Sequence, residues 1–182
     1  MSEQQINDRV AELRRSFDET FAEPRESPER DEQDFLIIDV AGETFAVRVS
    51  ELAIVEAHRK IVPVPGDQPN LLGLAGVQGR LVPVYDLAGF LGLGRSEHPD
   101  WLAICGQSDR VALAFGKLLA HARVRLNALH SPEFSNTNTS RSNVREAIKL
   151  EASTVYILDL VEIVEEIKRQ SGAASAEAGS AR

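Results

Sequence analysis

From residue 35 onward the chain is dominated by short apolar runs rich in Val, Ile and Leu, separated by Gly, Pro, Asn or Asp. That pattern predicts β-strands joined by tight turns. Phe35-Leu36-Ile37-Ile38-Asp39-Val40 and Thr44-Phe45-Ala46-Val47-Arg48-Val49 flank Ala41-Gly42-Glu43 and read as a hairpin. Leu71 to Val77 and Arg80 to Tyr85 flank Gln78-Gly79 in the same manner. Trp101 to Cys105, Val111 to Phe115 and Leu118 to Val124 continue the series, and Val144 to Leu150 and Thr154 to Leu158 close it. Pro63, Pro65 and Pro69 make residues 61–70 an irregular or edge segment, because proline lacks the ladder donor.

Helical spacing is confined to a few places. Ile6, Val10, Leu13, Phe17 and Phe21 align on one face and predict an amphipathic N-terminal helix over residues 1–22, bounded by Pro24. Ser50 can cap a short helix over Glu51 to Glu56, in which Leu52 and Val55 stand three apart. Asp86 can cap a turn of helix from Leu87 to Leu91 that Gly92 ends. Asp159 opens a last helix carrying Leu160, Ile163, Val164 and Ile167 on one side. Residues 23–33 read as an acidic linker, 131–143 as a long polar loop and 170–182 as an unstructured tail of small and polar residues. The folded domain is then 34–169. Many strands and few short helices argue for a small β-barrel or a pair of barrels, since alternating α/β folds need a longer helix between parallel strands.

Composition narrows the class. At 182 residues, 43% of them hydrophobic, the chain is sized for one core with tails and is far from disordered composition. Its single cysteine, Cys105, excludes an intramolecular disulfide, and the start Met1-Ser2-Glu3-Gln4-Gln5 lacks the basic and apolar segments of a secretory signal. No apolar run approaches the roughly 20 residues of a spanning helix, so a cytoplasmic protein without membrane insertion is expected. Net charge is −8, with ten acids against five bases in residues 1–33. The remainder is nearly neutral and has no basic stripe, which disfavours nucleic acid as a partner. With only 5% aromatic residues, an oligonucleotide-binding barrel lacks its stacking platforms as well.

The reactive residue types are scattered along the chain and not gathered in motifs. His58, His98, His121 and His130 have neither i,i+4 pairing nor a Cys-x-x-Cys companion, so no metal site is expected. Cys105 could act as a nucleophile with a histidine base such as His121, in an enzymatic or small-molecule-binding barrel. Its position in Leu102-Ala103-Ile104-Cys105 equally suits a buried strand thiol. Gly116-Lys117 lacks the upstream glycine and the following hydroxyl of a phosphate loop, and Gly73, Gly76 and Gly79 recur at threes rather than in a dinucleotide fingerprint. Asp39, Asp86, Asp109 and Asp159 sit where turns and helix starts explain them. No cofactor is implied, and function is expected to lie in binding surfaces.

Over about residues 34–169 the chain resembles the CheW-like adaptor domain of bacterial chemosensory systems. Phe35-Leu36-Ile37-Ile38 with Gly42-Glu43 and Phe45-Ala46-Val47 looks like that family's opening hairpin, and Ile61-Val62-Pro63-Val64-Pro65-Gly66 like its proline segment. Leu72-Gly73-Leu74-Ala75-Gly76-Val77-Gln78-Gly79-Arg80-Leu81-Val82-Pro83-Val84-Tyr85-Asp86-Leu87 is similar to its Gly-Val-Ile-Asn-Leu-Arg-Gly and Pro-Val-x-Asp-Leu signature. Thr154 to Leu160 resembles its last strand and terminal helix. The resemblance implies two small five-stranded SH3-like barrels packed together, no enzymatic activity, and coupling of chemoreceptors to a CheA-type histidine kinase or to a divergent scaffold. It places partner contacts at Leu52, Ile54, Val77, Gln78 and Arg80. Two of these depart from the family, which usually has Arg at 78 and Glu at 54. Ile6, Val10, Leu13, Phe17 and Phe21 are candidates for docking a partner groove, or for packing on the chain's own domain.

Overall fold

The computed structural model describes residues 31–65, 68–96, 99–106, 110–132, 143–150 and 153–179. The expected N-terminal helix with its five apolar positions and most of the acidic linker lie outside the described residues, as does most of the expected loop at 131–143. Contact density separates residues 1–32 from a compact unit that begins at Gln33, one residue before the expected domain start.

Among the described residues twelve strands form two six-stranded sheets. In chain order the strands are β1 (Glu32–Val40), β2 (Glu43–Arg48), β3 (Leu52–Ala57), β4 (Ile61–Val62), β5 (Leu71–Val77) and β6 (Arg80–Asp86). They continue with β7 (Trp101–Cys105), β8 (Val111–Phe115), β9 (Lys117–Arg125), β10 (Leu129–His130), β11 (Val144–Leu150) and β12 (Ser153–Leu158). The helices are α1 (Leu87–Phe90) and α2 (Leu160–Gly179). The first sheet runs β10-β11-β12-β2-β1-β9 and the second β3-β7-β8-β6-β5-β4. Each holds six strands rather than five, because a two-residue strand, β10 or β4, is added at one edge. The chain begins the first sheet, builds the whole of the second, then returns to finish the first, where β12 pairs in parallel with β2.

Alternation along the strands divides the apolar residues among three cores. Phe35, Ile37, Ala46, Ile148, Val155 and Ile157 fill one face of the first sheet. Ala75, Val77, Val82, Val84, Leu102 and Ile104 fill one face of the second. The residues between them in sequence, such as Ile38, Val40, Ala103, Cys105, Leu113 and Phe115, join Leu160, Ile163 and Ile167 of α2 in a third core shared by both sheets. A paired architecture in which each half has its own interior follows directly from the period-2 pattern.

Two sequence expectations are corrected. Residues 51–56 are not helical: Val49–Glu51 form one 3-10 turn and Leu52–Ala57 form β3. A register shift between Leu52 and Ile54 marks a β-bulge. The extra residue puts Ala53 and Ile54 together on the second sheet's core and Leu52 and Val55 together on the shared core, three apart as on a helix. The terminal helix also runs past residue 169 to Gly179, in place of the tail expected from 170. Alanine, frequent there, is the best helix former, and the Ser171 hydroxyl lies 3.1 Å from the Tyr85 hydroxyl.

The start of α2 is fixed by two carboxylates. Asp159 Oδ1 accepts from the Glu162 amide at 3.0 Å and Oδ2 pairs with Arg145, while Glu51 Oε2 accepts from the Leu160 amide at 3.1 Å. Glu51 also pairs with Arg48. Burial raises the Glu51 carboxyl above its ordinary value, against the lowering effects of the Leu160 amide and Arg48. A raised folded-state pKa favours folding in acid, and that contribution fades as pH rises through the folded value. Glu51→Gln keeps an acceptor for Leu160 and abolishes the titration. Its urea midpoint is therefore expected to vary less than wild type over the pH range just above the ordinary carboxylate value. Equal slopes would show that Glu51 does not titrate there.

Candidate functional site

Of the residues that sequence reasoning singled out, Leu52, Ile54 and His121 line one groove, Gln78 and Arg80 stand at a hairpin end, and Asp86 borders a polar cavity. The first surface is a groove of about 290 Å³ where β3 of the second sheet meets β1 and β9 of the first. Leu36, Val49, Leu52, Ala53, Ile54 and Val55 supply its apolar lining. Its polar side is Asp34, which accepts from Arg123 Nε at 3.0 Å and sits 3.0 Å from His121 Nε2. The hydrogen bond from Arg123 holds the Asp34 carboxyl below its usual value. Leu52 and Ile54 thus share one site, and the bulge in β3 is what turns Ala53 and Ile54 to the same side.

The second surface is the β5–β6 hairpin end. Val77 pairs with Arg80 across a two-residue loop in which Gln78 and Gly79 both have positive φ, 48° and 74°, the signature of a type I′ turn. Gln78 and Arg80 are exposed. Gln78 Oε1 accepts from Arg110 Nη1 at 3.0 Å, a contact between separate loops that no local pattern announces. Val77 belongs to neither surface. It is fully buried in the second sheet's core, because its side chain alternates inward with Ala75, and it is removed from the partner-facing set.

The polar cavity, about 470 Å³, is lined by Gln68, Asn70, Asp86, Gly89 and Arg95 among others. Its buried carboxylate is already engaged, since Asp86 Oδ1 accepts from the Ala88 amide at 3.1 Å and Oδ2 from the Ser96 amide at 2.8 Å. Gln68 Oε1 accepts from the Tyr85 hydroxyl at 3.0 Å. These contacts anchor α1 and the following loop and leave Asp86 no free oxygen among the described residues.

Cys105 and His121 are not brought together. Cys105 lies in the shared core at 3% exposure, and burial pushes its thiol up to about 12. His121 is exposed on β9 beside Asp34. A thiolate is the reactive form, so Cys105 is expected to resist iodoacetamide in the native protein and to react only on unfolding. Stoichiometric labelling under native conditions, read by intact mass, would contradict this burial.

The CheW-like domain family model matches residues 34–168. The chain belongs to the CheW-like domain family. "Chemotaxis protein CheW" of Thermotoga maritima is 25% identical to it over 143 residues, covering 78% of this chain and 93% of that protein. Among solved structures, that of "scaffolding protein TtCheW" from Thermoanaerobacter tengcongensis superposes with a TM-score of 0.62 at 16% identity, covering 70% of this chain and 88% of the other. The CheW-like domain here therefore shares the fold of that structure. No helix among the described residues is long and apolar enough to cross a membrane.

Proposed function

We propose that this protein is a non-enzymatic adaptor of a chemosensory pathway, joining a chemoreceptor to a CheA-type histidine kinase or to a divergent scaffold in the cytoplasm. An adaptor needs two surfaces that can be occupied together, and the groove and the hairpin end are separate. The observation that carries the reading is the apolar groove in a CheW-like domain. Leu52, Ile54 and Val55 are each only half-buried there and offer area that a partner can remove from water. Isoleucine at 54, where the family usually has glutamate, makes the groove suited to apolar contact rather than to a charged pair.

Reconstitution tests the reading. Wild-type protein mixed with a receptor signalling fragment and the kinase should form a ternary complex, and Ile54→Asp should weaken one of the two contacts about tenfold or more. Ile54 is half-buried in the strand, so the variant's melting curve serves as the control for folding. No complex with either protein would overturn the adaptor reading.

A further inference from the structure

The β4–β5–β6 segment has an outer face as well as an inner one. Ile61, Ala75 and Val82 stand opposite one another and pack on the second sheet's core. The adjoining row, Val62, Leu74 and Pro83, points the other way, and so does the pair Gly76 and Leu81. Val62 is 53% exposed and Leu81 74%. A Cβ built on Gly76 would meet nothing within 4 Å, so the position opposite Leu81 is open among the described residues.

At the hairpin end this apolar strip meets two guanidiniums. Arg80 is exposed, and Arg110 is held at the turn by its bond to Gln78. Neither is ion-paired with a carboxylate among the described residues, and the Arg110 Nε is buried without a hydrogen-bond partner. In a chain of net charge −8, two arginines with no ion-paired acid among the described residues stand beside an exposed leucine. Arginine carries five donors, and among the side chains of the described residues Arg110 gives one of them to Gln78.

We propose that the strip Val62, Leu74, Pro83 and Leu81, ended by Arg80 and Arg110, docks a partner protein that presents carboxylates beside apolar side chains. The inference rests on the adaptor reading and assigns Arg110 as a specificity-determining residue. Its guanidinium, steered by the Gln78 amide, meets the partner's carboxylate where position 78 itself has no charge. A planar five-donor group can clamp a carboxylate with two parallel bonds, which a glutamine cannot do. An anionic lipid surface fits less well, since the acidic chain as a whole is repelled by it.

The test titrates the full-length protein against two probes, the CheA-type kinase and a chemoreceptor signalling fragment from the same organism, at low and high salt. Leu81→Ser and Arg110→Glu should each weaken the same probe about tenfold or more, with melting curves unchanged. The loss from Arg110→Glu should shrink at high salt. Leu81 is largely exposed, so its variant keeps the test decisive if Arg110→Glu misfolds. If wild type binds a probe and both variants bind it equally tightly, the strip is no interface and the proposal is overturned while the adaptor reading stands. If wild type binds neither probe, the adaptor reading fails and the proposal falls with it. Phosphatidylglycerol vesicles that bind wild type and release Arg110→Glu, with both probes unaffected, would reassign the strip to a membrane.

Discussion

Gly73→Ala is expected to abolish the native second sheet. Gly73 is buried in β5 at φ +144°, and a Cβ there would fall 2.2 Å from the Val62 carbonyl oxygen and 2.9 Å from the Pro63 Cα. Both obstacles are backbone atoms, so no rotamer change relieves them. β4 would have to leave β5, exposing the inner face of Ile61 and breaking the pairs Ile61–Ala75 and Val62–Leu74. Single changes that cost more than about 4–5 kcal/mol are exceptional, and a backbone clash at a left-handed buried glycine is among the mechanisms that reach them. The full chain carrying Gly73→Ala should either fail to accumulate as soluble protein or lose its cooperative urea transition. A normal midpoint would show that β4 is a dispensable edge.

The second large effect is expected at Asp86. Its side chain is 1% exposed and its two oxygens accept from the amides of Ala88 and Ser96, while its own amide donates to the Asn70 carbonyl. Asp86→Ala leaves two amides without their acceptor, and hydrogen bonds to a charged group contribute about 1.5–3 kcal/mol each. A loss of about 3 kcal/mol or more is expected, measured by urea denaturation. Asp86→Asn retains one acceptor oxygen and should lose about half as much. Comparable losses from the two variants would mean that the charge, rather than the acceptor count, holds α1 and its loop in place.

The sequence made the hairpins legible because their turn chemistry is local: Ala41-Gly42 and Gln78-Gly79 each take the two positive φ values that a two-residue loop requires. Asp86 and Asp159 were legible as caps for the same reason, since each carboxylate accepts from an amide two or three residues on. What failed was any inference that depended on counting residues through an irregularity. The bulge in β3 spaces Leu52 and Val55 by three on one face, the helical interval, so periodicity alone could not separate the two. Val77 was misjudged from the opposite side. Its own strand alternates strictly at that end, and Ala75 and Val77 share an inward face that assigns it to the core. The groove and the Arg110 contact lie beyond any window, because Asp34, Ile54 and His121 meet only when the two sheets come together, and Gln78 and Arg110 only when the second sheet has formed. The extent of α2 was hidden by reading alanine and serine as small rather than as helix-compatible.

The route of the chain between its sheets has a bearing on biosynthesis. During translation β1 and β2 leave the ribosome first, yet β2 must wait for its parallel neighbour β12, whose residues follow more than a hundred positions later, as the pair Phe45 and Tyr156 makes plain. Strands β3 to β8 have all their partners within their own stretch and can assemble as soon as Phe115 emerges. Distant pairing is slow because loop closure precedes any reward, and unpaired edges invite association with neighbouring chains. A nascent molecule therefore carries a finished half beside an open β1–β2 ribbon, and this ribbon, rather than the finished half, is where a chaperone has reason to hold it.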